Sequence, residues 1–395
     1  MVIRPGVVYL VASTMAWSCG NDAGDAPRPD WTVRDSAGVT LVSNHTDGSA
    51  RGCVTIAPDP DVVIPAGPAS PPLYGVRAGV VLGDGRIVVL NAGTKELLFF
   101  GPHGRFQRAA GRPGSGPGEF VDPRWLGRGD GDTLFVWDGG LMRISIFDRE
   151  GVLVGVHQVR VGDEQGKPIA ISGRFGDGSF LSTPGPLVYF DGTPGVLRFP
   201  EPYGRYAMQS GRVEPITEGA GSEIVSGPGP IYELPFGKMD VTEPFGDMLV
   251  VGDNGTAVLR YYDLGGQLRR VVQWVSEPVP VTNRDRKEYI RNFNSIFPKH
   301  AHLSQDKTRF AAERPRFSAM LRDENGWLWV RSYRGGWEPR GPWLVFDGDG
   351  VLQCSVDPPN GGFSALHIGA SHALGWQRDE NDEESVVLHS LVRDK

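Results

Sequence analysis

A chain of 395 residues with 55 Gly and 32 Pro carries too many helix breakers to be mainly helical, while 39% hydrophobic and 10% aromatic content is too apolar for disorder. A formal net charge of −7 excludes a domain-wide basic footprint for nucleic acid. Length alone suggests two or three domains, a prior that closed all-β architectures escape.

Residues Met1 to Cys19 read MVIRPGVVYLVASTMAWSC. Arg4 precedes an apolar stretch from Gly6 to Trp17, and small residues flank the cysteine, which is the layout of a signal peptide. The stretch falls short of the roughly 20 residues a spanning helix needs. Ala16-Trp17-Ser18-Cys19 resembles the bacterial lipoprotein box, in which the cysteine takes the lipid and becomes the mature N-terminus; Trp17 and Ala16 depart from its usual residues. An ordinary cleaved signal with a chance cysteine is the alternative. The expected division is a signal peptide over 1–19, a flexible tether over 20–30 and one folded body over 31–395, exported and held at the cell envelope (periplasm or outer membrane) by lipid on Cys19. Of the three cysteines, Cys53 and Cys354 then remain, either as a pair in an oxidising compartment or as two separate buried thiols.

Trp31 to Asn44 is β-rich and precedes a repeated unit; it is expected to pair in the same sheet as Ser385 to Val392. The unit first appears from Gly83 to Phe106 and again from Gly129 to Leu153. An offset of 47 places Arg124 on Arg77, Leu134 on Ile87 and Asp138 on Asn91. Each copy reads as a Gly/Asp turn, an apolar run, a small polar turn, an alternating run and an aromatic-Asp-x-x-Gly turn, the grammar of half-buried strands. Further copies run from Phe245 to Arg269 and from Asp323 to Leu352, with weaker ones from Phe175 to Gly195 and from Ala365 to Val392. Such a meander cannot cover both its faces alone, so six copies predict six sheets stacked radially: an all-β, six-bladed β-propeller. Thr282 to Phe297 breaks the pattern with a Thr cap, apolar residues at helical spacing and Pro298 as a stop. It predicts a short helical insertion on one rim, about 282–298, with its basic residues solvated or docking a partner.

The repeats resemble the NHL-related six-bladed propellers of bacterial secreted lipoproteins. The motifs that carry the resemblance are Asp35-Ser36-Ala37-Gly38-Val39, GDGRIVVLNAGTKEL from Gly83, GRPGSGPGEF from Gly111 to Phe120, and Pro315 through Val330. The resemblance implies the fold and little chemistry.

No local motif supplies chemistry. GRPGSGPGEF lacks the lysine and following helix of a phosphate loop and reads as a between-blade turn. HExxH, CxxC and GxSxG do not occur. His300 and His302 follow the helix and His367 and His372 lie in the last unit; they read as surface residues. The recurring Asp84, Asp132, Asp148, Asp263 and Asp347 read as turn caps. Trp125, Trp137, Trp327, Trp329, Trp337 and Trp343 read as packing between blades rather than as a sugar platform.

The sequence therefore points to a non-enzymatic binding or scaffold protein for an unidentified protein, peptide or glycan, with no cofactor, no nucleic acid and membrane contact through the lipid anchor alone. A propeller lactonase or lyase with a channel metal is the alternative. The expected binding residues form a cationic lip where the innermost strands begin: Arg77 and Arg124 at matching positions, with Lys167, Lys238 and Arg316 near the corresponding place in three other units. Several cations facing one concavity reinforce each other, which favours an anionic ligand.

Overall fold

The computed structural model describes residues 29–48, 52–65, 70–159, 169–184, 193–227, 231–296, 308–334, 341–359, 362–379 and 381–393. The signal peptide with Cys19, most of the tether, and Lys167, His300, His302, Trp337 and Pro298 lie outside them.

Six antiparallel meanders form six blades. Blade 1 holds strands Val76–Val81, Ile87–Asn91, Glu96–Phe100 and Phe106–Ala110; blade 2 holds Pro123–Arg128, Leu134–Asp138, Arg143–Phe147 and Leu153–Gln158. Blade 3 uses Ile169–Arg174, Phe180–Pro184, Glu201–Ala207 and Arg212–Gly219; blade 4 uses Asp240–Phe245, Met248–Asp253, Val258–Asp263 and Leu268–Gln273. Blade 5 comprises Phe317–Arg322, Leu328–Ser332, Trp343–Phe346 and Leu352–Val356, and blade 6 Ser364–Ile368, His372–Arg378 and Glu384–Arg393. The first strand of each blade touches the first strand of the next, and that of blade 6 touches that of blade 1, so the ring closes around an axis lined by first strands.

Blades stick by their faces. Val88, Leu90, Leu97 and Phe99 of blade 1 share one core with Leu134, Val136 and Phe147 of blade 2. Every residue of Ile87–Asn91 and of Leu134–Asp138 is buried, because a second strand is covered by a blade on either side. Each such apolar side chain contributes roughly 1.5–3 kcal/mol. Trp137, Trp329 and Trp343 lie in these interfaces, as packing residues. The repeated aromatic-Asp-x-x-Gly turn is fixed by two devices in blade 2. Asp148 Oδ1 accepts the amides of Glu150 and Val152, and Gly151 takes φ 71° where a Cβ would lie 2.7 Å from the Phe99 ring. Asp263 and Asp347 accept amides in the same way.

Two expectations are corrected. The third unit does not end near Gly195: blade 3 takes its outer strands from Glu201–Ala207 and Arg212–Gly219, and Gly195–Arg198 instead joins Glu223–Ser226 and Tyr232–Glu233 in a small sheet outside the blades. Nor does Trp31–Asn44 pair with the last sheet. Val39–Asn44 runs parallel to Leu268–Gln273 on the outer edge of blade 4, with Trp31–Ser36 folded back beyond it. Asn44 fixes this placement, its amide donating to the carbonyls of Gln273 and Gly350 and its oxygen accepting from Leu352 N. Ring closure by both chain ends does occur, through a later segment. Val54–Ile56 and Val62–Ile64 both pair antiparallel with Glu384–Arg393, completing blade 6.

The described residues 31–48 and 52–64 thus form a strap along the outer edges of blades 4, 5 and 6. Its middle is stapled to blade 5 by a disulfide between Cys53 and Cys354. The rim helix spans Asn283–Ile296 and starts in a reciprocal cap: Thr282 Oγ1 accepts from Asp285 N while the Asp285 carboxylate accepts from Thr282 N.

The Cys53–Cys354 bridge closes a loop of 301 residues in sequence, so C53A/C354A is expected to destabilise by about 2–5 kcal/mol, read as a lowered denaturant midpoint. Removal of residues 1–44 should weaken the protein yet leave cooperative unfolding. Removal of residues 1–64 strips both partners from Glu384–Arg393 and should abolish a cooperative transition in the same assay.

Candidate functional site

The first strands enter the ring at one face, here the start face, and leave it at the other, the exit face. The two faces differ in kind. At the exit face Arg128, last residue of the first strand of blade 2, donates through Nη1 to Glu324 of blade 5 at 2.9 Å and to the Val81 carbonyl of blade 1 at 2.6 Å. Blades 2 and 5 are opposite in a ring of six, so this ion pair bridges the exit mouth. Arg128 also pairs with Asp132 at 3.0 Å, and both Asp132 oxygens accept Gly83 N of blade 1. Asp132 therefore joins two blades rather than capping its own turn.

His367 and His372 of blade 6 complete the cluster. His367 Nε2 lies 3.6 Å from Glu324, the two imidazoles are 5.7 Å apart, and Glu324 Oε2 accepts the Ala370 amide. His367 Nδ1 and His372 Nε2 are buried without a hydrogen-bond partner among the described residues. These are not surface histidines, contrary to the sequence reading. Burial pushes His367 down to about 4, with Glu324 opposing that shift; His372 is lowered by burial as well.

Inside the channel stands Glu243, on the first strand of blade 4. It is partly buried beside the first strand of blade 5, where its Oε1 accepts from Arg322 N at 3.2 Å. Burial pushes its carboxyl up to about 8.

At the start face, Arg77 and Arg124 occupy the same register. Each is the extra residue of a bulge in its first strand, four places before the strand's end, and each is exposed. The offset read from the sequence is therefore a structural equivalence. The remaining predicted lip residues are less alike. Arg316 precedes the first strand of blade 5, donates to the Glu277 carbonyl and pairs with Glu313; Lys238 precedes that of blade 4, its backbone amide bonded to Glu223. Arg124 pairs with Asp122 at 2.6 Å, whereas Arg77 has no carboxylate partner among the described residues. Beside Lys238, Asp240 and Glu201 both accept from the Tyr203 hydroxyl, and burial raises both carboxyls. The described groups on this face are of mixed charge, with Arg77 and Arg124 exposed.

The Gly111–Phe120 loop explains itself as structure. Arg143, buried in blade 2, donates to the carbonyls of Ser115, Gly116 and Glu119, and the Glu119 carboxylate accepts Gly116 N. Carbonyls converge on a guanidinium here, the reverse of the converging amides of a phosphate site. Among the described residues, no group of three His, Cys, Asp or Glu side chains is placed to hold a metal ion.

Sequence comparison agrees with this architecture. A family model described as a 6-bladed beta-propeller matches residues 78–126. The chain is a six-bladed β-propeller. Among solved structures, a member of the DUF4221 family from Bacteroides vulgatus is similar with a TM-score of 0.54 at 12% identity, covering 87% of this chain and 100% of that one. A candidate exported protein from Bacteroides fragilis gives 0.49 at 11% identity over 90% and 99% of the two chains. A gluconolactonase from Xanthomonas campestris gives 0.44 at 13% identity over 86% and 98%. These likenesses concern the fold alone. No curated protein matches the sequence.

Two titrations follow. A neutral His367 is favoured by folding, so stability should fall as pH drops from about 6.5 towards about 4, where the unfolded chain takes the proton first. In H367Q that slope should flatten in urea midpoints taken across the range. For Glu243 the sign is opposite: with a carboxyl raised from 4.5 to about 8, stability falls as pH rises through that window. E243Q should therefore stabilise the protein at pH 7 and change it little at pH 4.

Proposed function

We propose that the protein is a non-enzymatic, exported propeller of the NHL-related lipoprotein type. In this reading it is anchored by lipid on Cys19 and binds an anionic protein, peptide or glycan on its start face. The observation that carries the choice of face is the Arg128–Glu324 bridge, which closes the exit mouth and ties up its charged groups. On the start face Arg77 and Arg124 stand exposed at one level on adjacent blades, and an arginine fork suits carboxylate or phosphate. Lys238 and Arg316 flank the same mouth and Lys167 belongs to the same reading. The Cys53–Cys354 disulfide supports export, since such bonds persist in oxidising compartments.

Two experiments test this. After a high-salt wash, C19A should be in the soluble fraction while the wild type stays on the membrane, because acyl chains and not the tether hold it; unchanged partitioning contradicts the anchor. R77E/R124E should lose binding to carboxylated or phosphorylated peptides and acidic glycans, and the wild-type affinity should decline with salt. A wild type that binds none of that panel, or a variant that binds as tightly, contradicts the lip.

A further inference from the structure

The tether and the rim helix leave the same end of the same blade. Trp31 lies opposite Asn44, and Ser43 lies opposite Gln273, so Trp31 marks the end of the blade 4 sheet from which the chain runs on to the helix. Along that run Val275 and Val279 are 46% and 45% exposed, and Trp31 itself is 41% exposed. Single exposed apolar residues are ordinary; here three large ones come from the same end of one blade.

The helix adds a stripe of net positive charge. Arg284, Lys287 and Arg291 recur at i, i+3 and i+7 and so project from one face. All three are exposed and none pairs with a carboxylate among the described residues, in a chain of formal charge −7. Half-buried Glu288 lies on the same face, so three cations there meet one carboxylate, while Asp285, next to Arg284 in sequence, is turned inward to Arg314. The helix cannot roll to hide this face, because its other side is seated: Tyr289 packs against Phe236 and Phe310, and Asp285 is pinned to Arg314 at 2.7 Å.

A basic stripe beside exposed tryptophan and valine is the composition of a surface that rests in the headgroup layer, where cations meet phosphates and amphipathic aromatics sit at the boundary. We infer that this rim of blade 4 contacts an anionic lipid surface directly. Arg284, Lys287 and Arg291 lie among the headgroup phosphates, and Trp31, Val275 and Val279 lie at the interface. The position of the tether agrees. Cys19 stands twelve residues before Trp31, at most about 40 Å of chain, so lipid on Cys19 brings this rim nearest the bilayer. That agreement rests on the anchor proposed above; the charged and apolar groups of the rim do not.

The test uses the full chain carrying C19A, so that no acyl chain contributes. It should co-float with vesicles of phosphatidylcholine and phosphatidylglycerol in equal parts, but not with phosphatidylcholine alone, and high salt should release it. R284E/K287E/R291E should lower binding at least tenfold, and W31A should weaken binding at low salt. Unchanged thermal unfolding, followed by circular dichroism, shows that the variants are folded. Equal binding to the two vesicle types overturns the inference, as does equal binding by the charge-reversed variant. Self-association that depends on the same three residues, without vesicle binding, would assign the rim to a second copy instead. Release of wild-type protein from cell membranes by a high-salt wash would sink the anchor reading while leaving the vesicle result to stand on its own.

Discussion

A ring of sheets is stable only if it has no first and last blade, and here the last blade arrives one strand short. Ser364–Ile368, His372–Arg378 and Glu384–Arg393 leave the outer edge of blade 6 with unpaired amides and carbonyls. Val54–Ile56 and Val62–Ile64, from the other end of the chain, satisfy them. Every interface around the axis depends on this closure, because each blade buries its faces only while both neighbours are in place. The strap reinforces it at three successive blades, through Asn44, through the Cys53–Cys354 bond, and through the paired strands themselves.

Closure also accounts for what could be read in advance. Period-two runs and Asp/Gly turns recur because each blade solves the same local problem, so the six-bladed architecture, the offset of 47 between Arg77 and Arg124, and the rim helix were legible. The edge partners were not. Trp31–Asn44 and Val54–Ile64 are all apolar and β-rich, and nothing local distinguishes a strand that extends blade 4 from one that completes blade 6. The deciding contacts, Asn44 to Gly350 and Leu352, lie about 300 residues away in sequence. Blade 3 was misread for a related reason: Gly195–Arg198, a strand of an extra sheet, is spliced between its second and third strands.

The exit cluster was invisible for a different cause. Arg128, Glu324, His367 and His372 lie far apart in the chain and match no motif, and histidine-to-carboxylate proximity across a ring has no spacing signature. The one available signal was position: Arg128 and His367 sit at the ends of first strands, where a closed ring makes side chains of separate blades converge. Glu243, whose carboxylate accepts from Arg322 N of the next first strand, was equally illegible, since that contact also joins separate blades.

The strap has a consequence for the order in which the molecule can be made. Its residues leave the ribosome first, yet their partners in blades 4, 5 and 6 are among the last to be synthesised, at Leu268–Gln273, Cys354 and Glu384–Arg393. No nascent chain can complete the ring until almost its last strand has emerged, and early blades wait with an open face. Such a topology postpones locking of the tertiary structure until Glu384–Arg393 is available to pair. It also makes the finished fold slow to form, because its decisive pairings span most of the contour length of the chain.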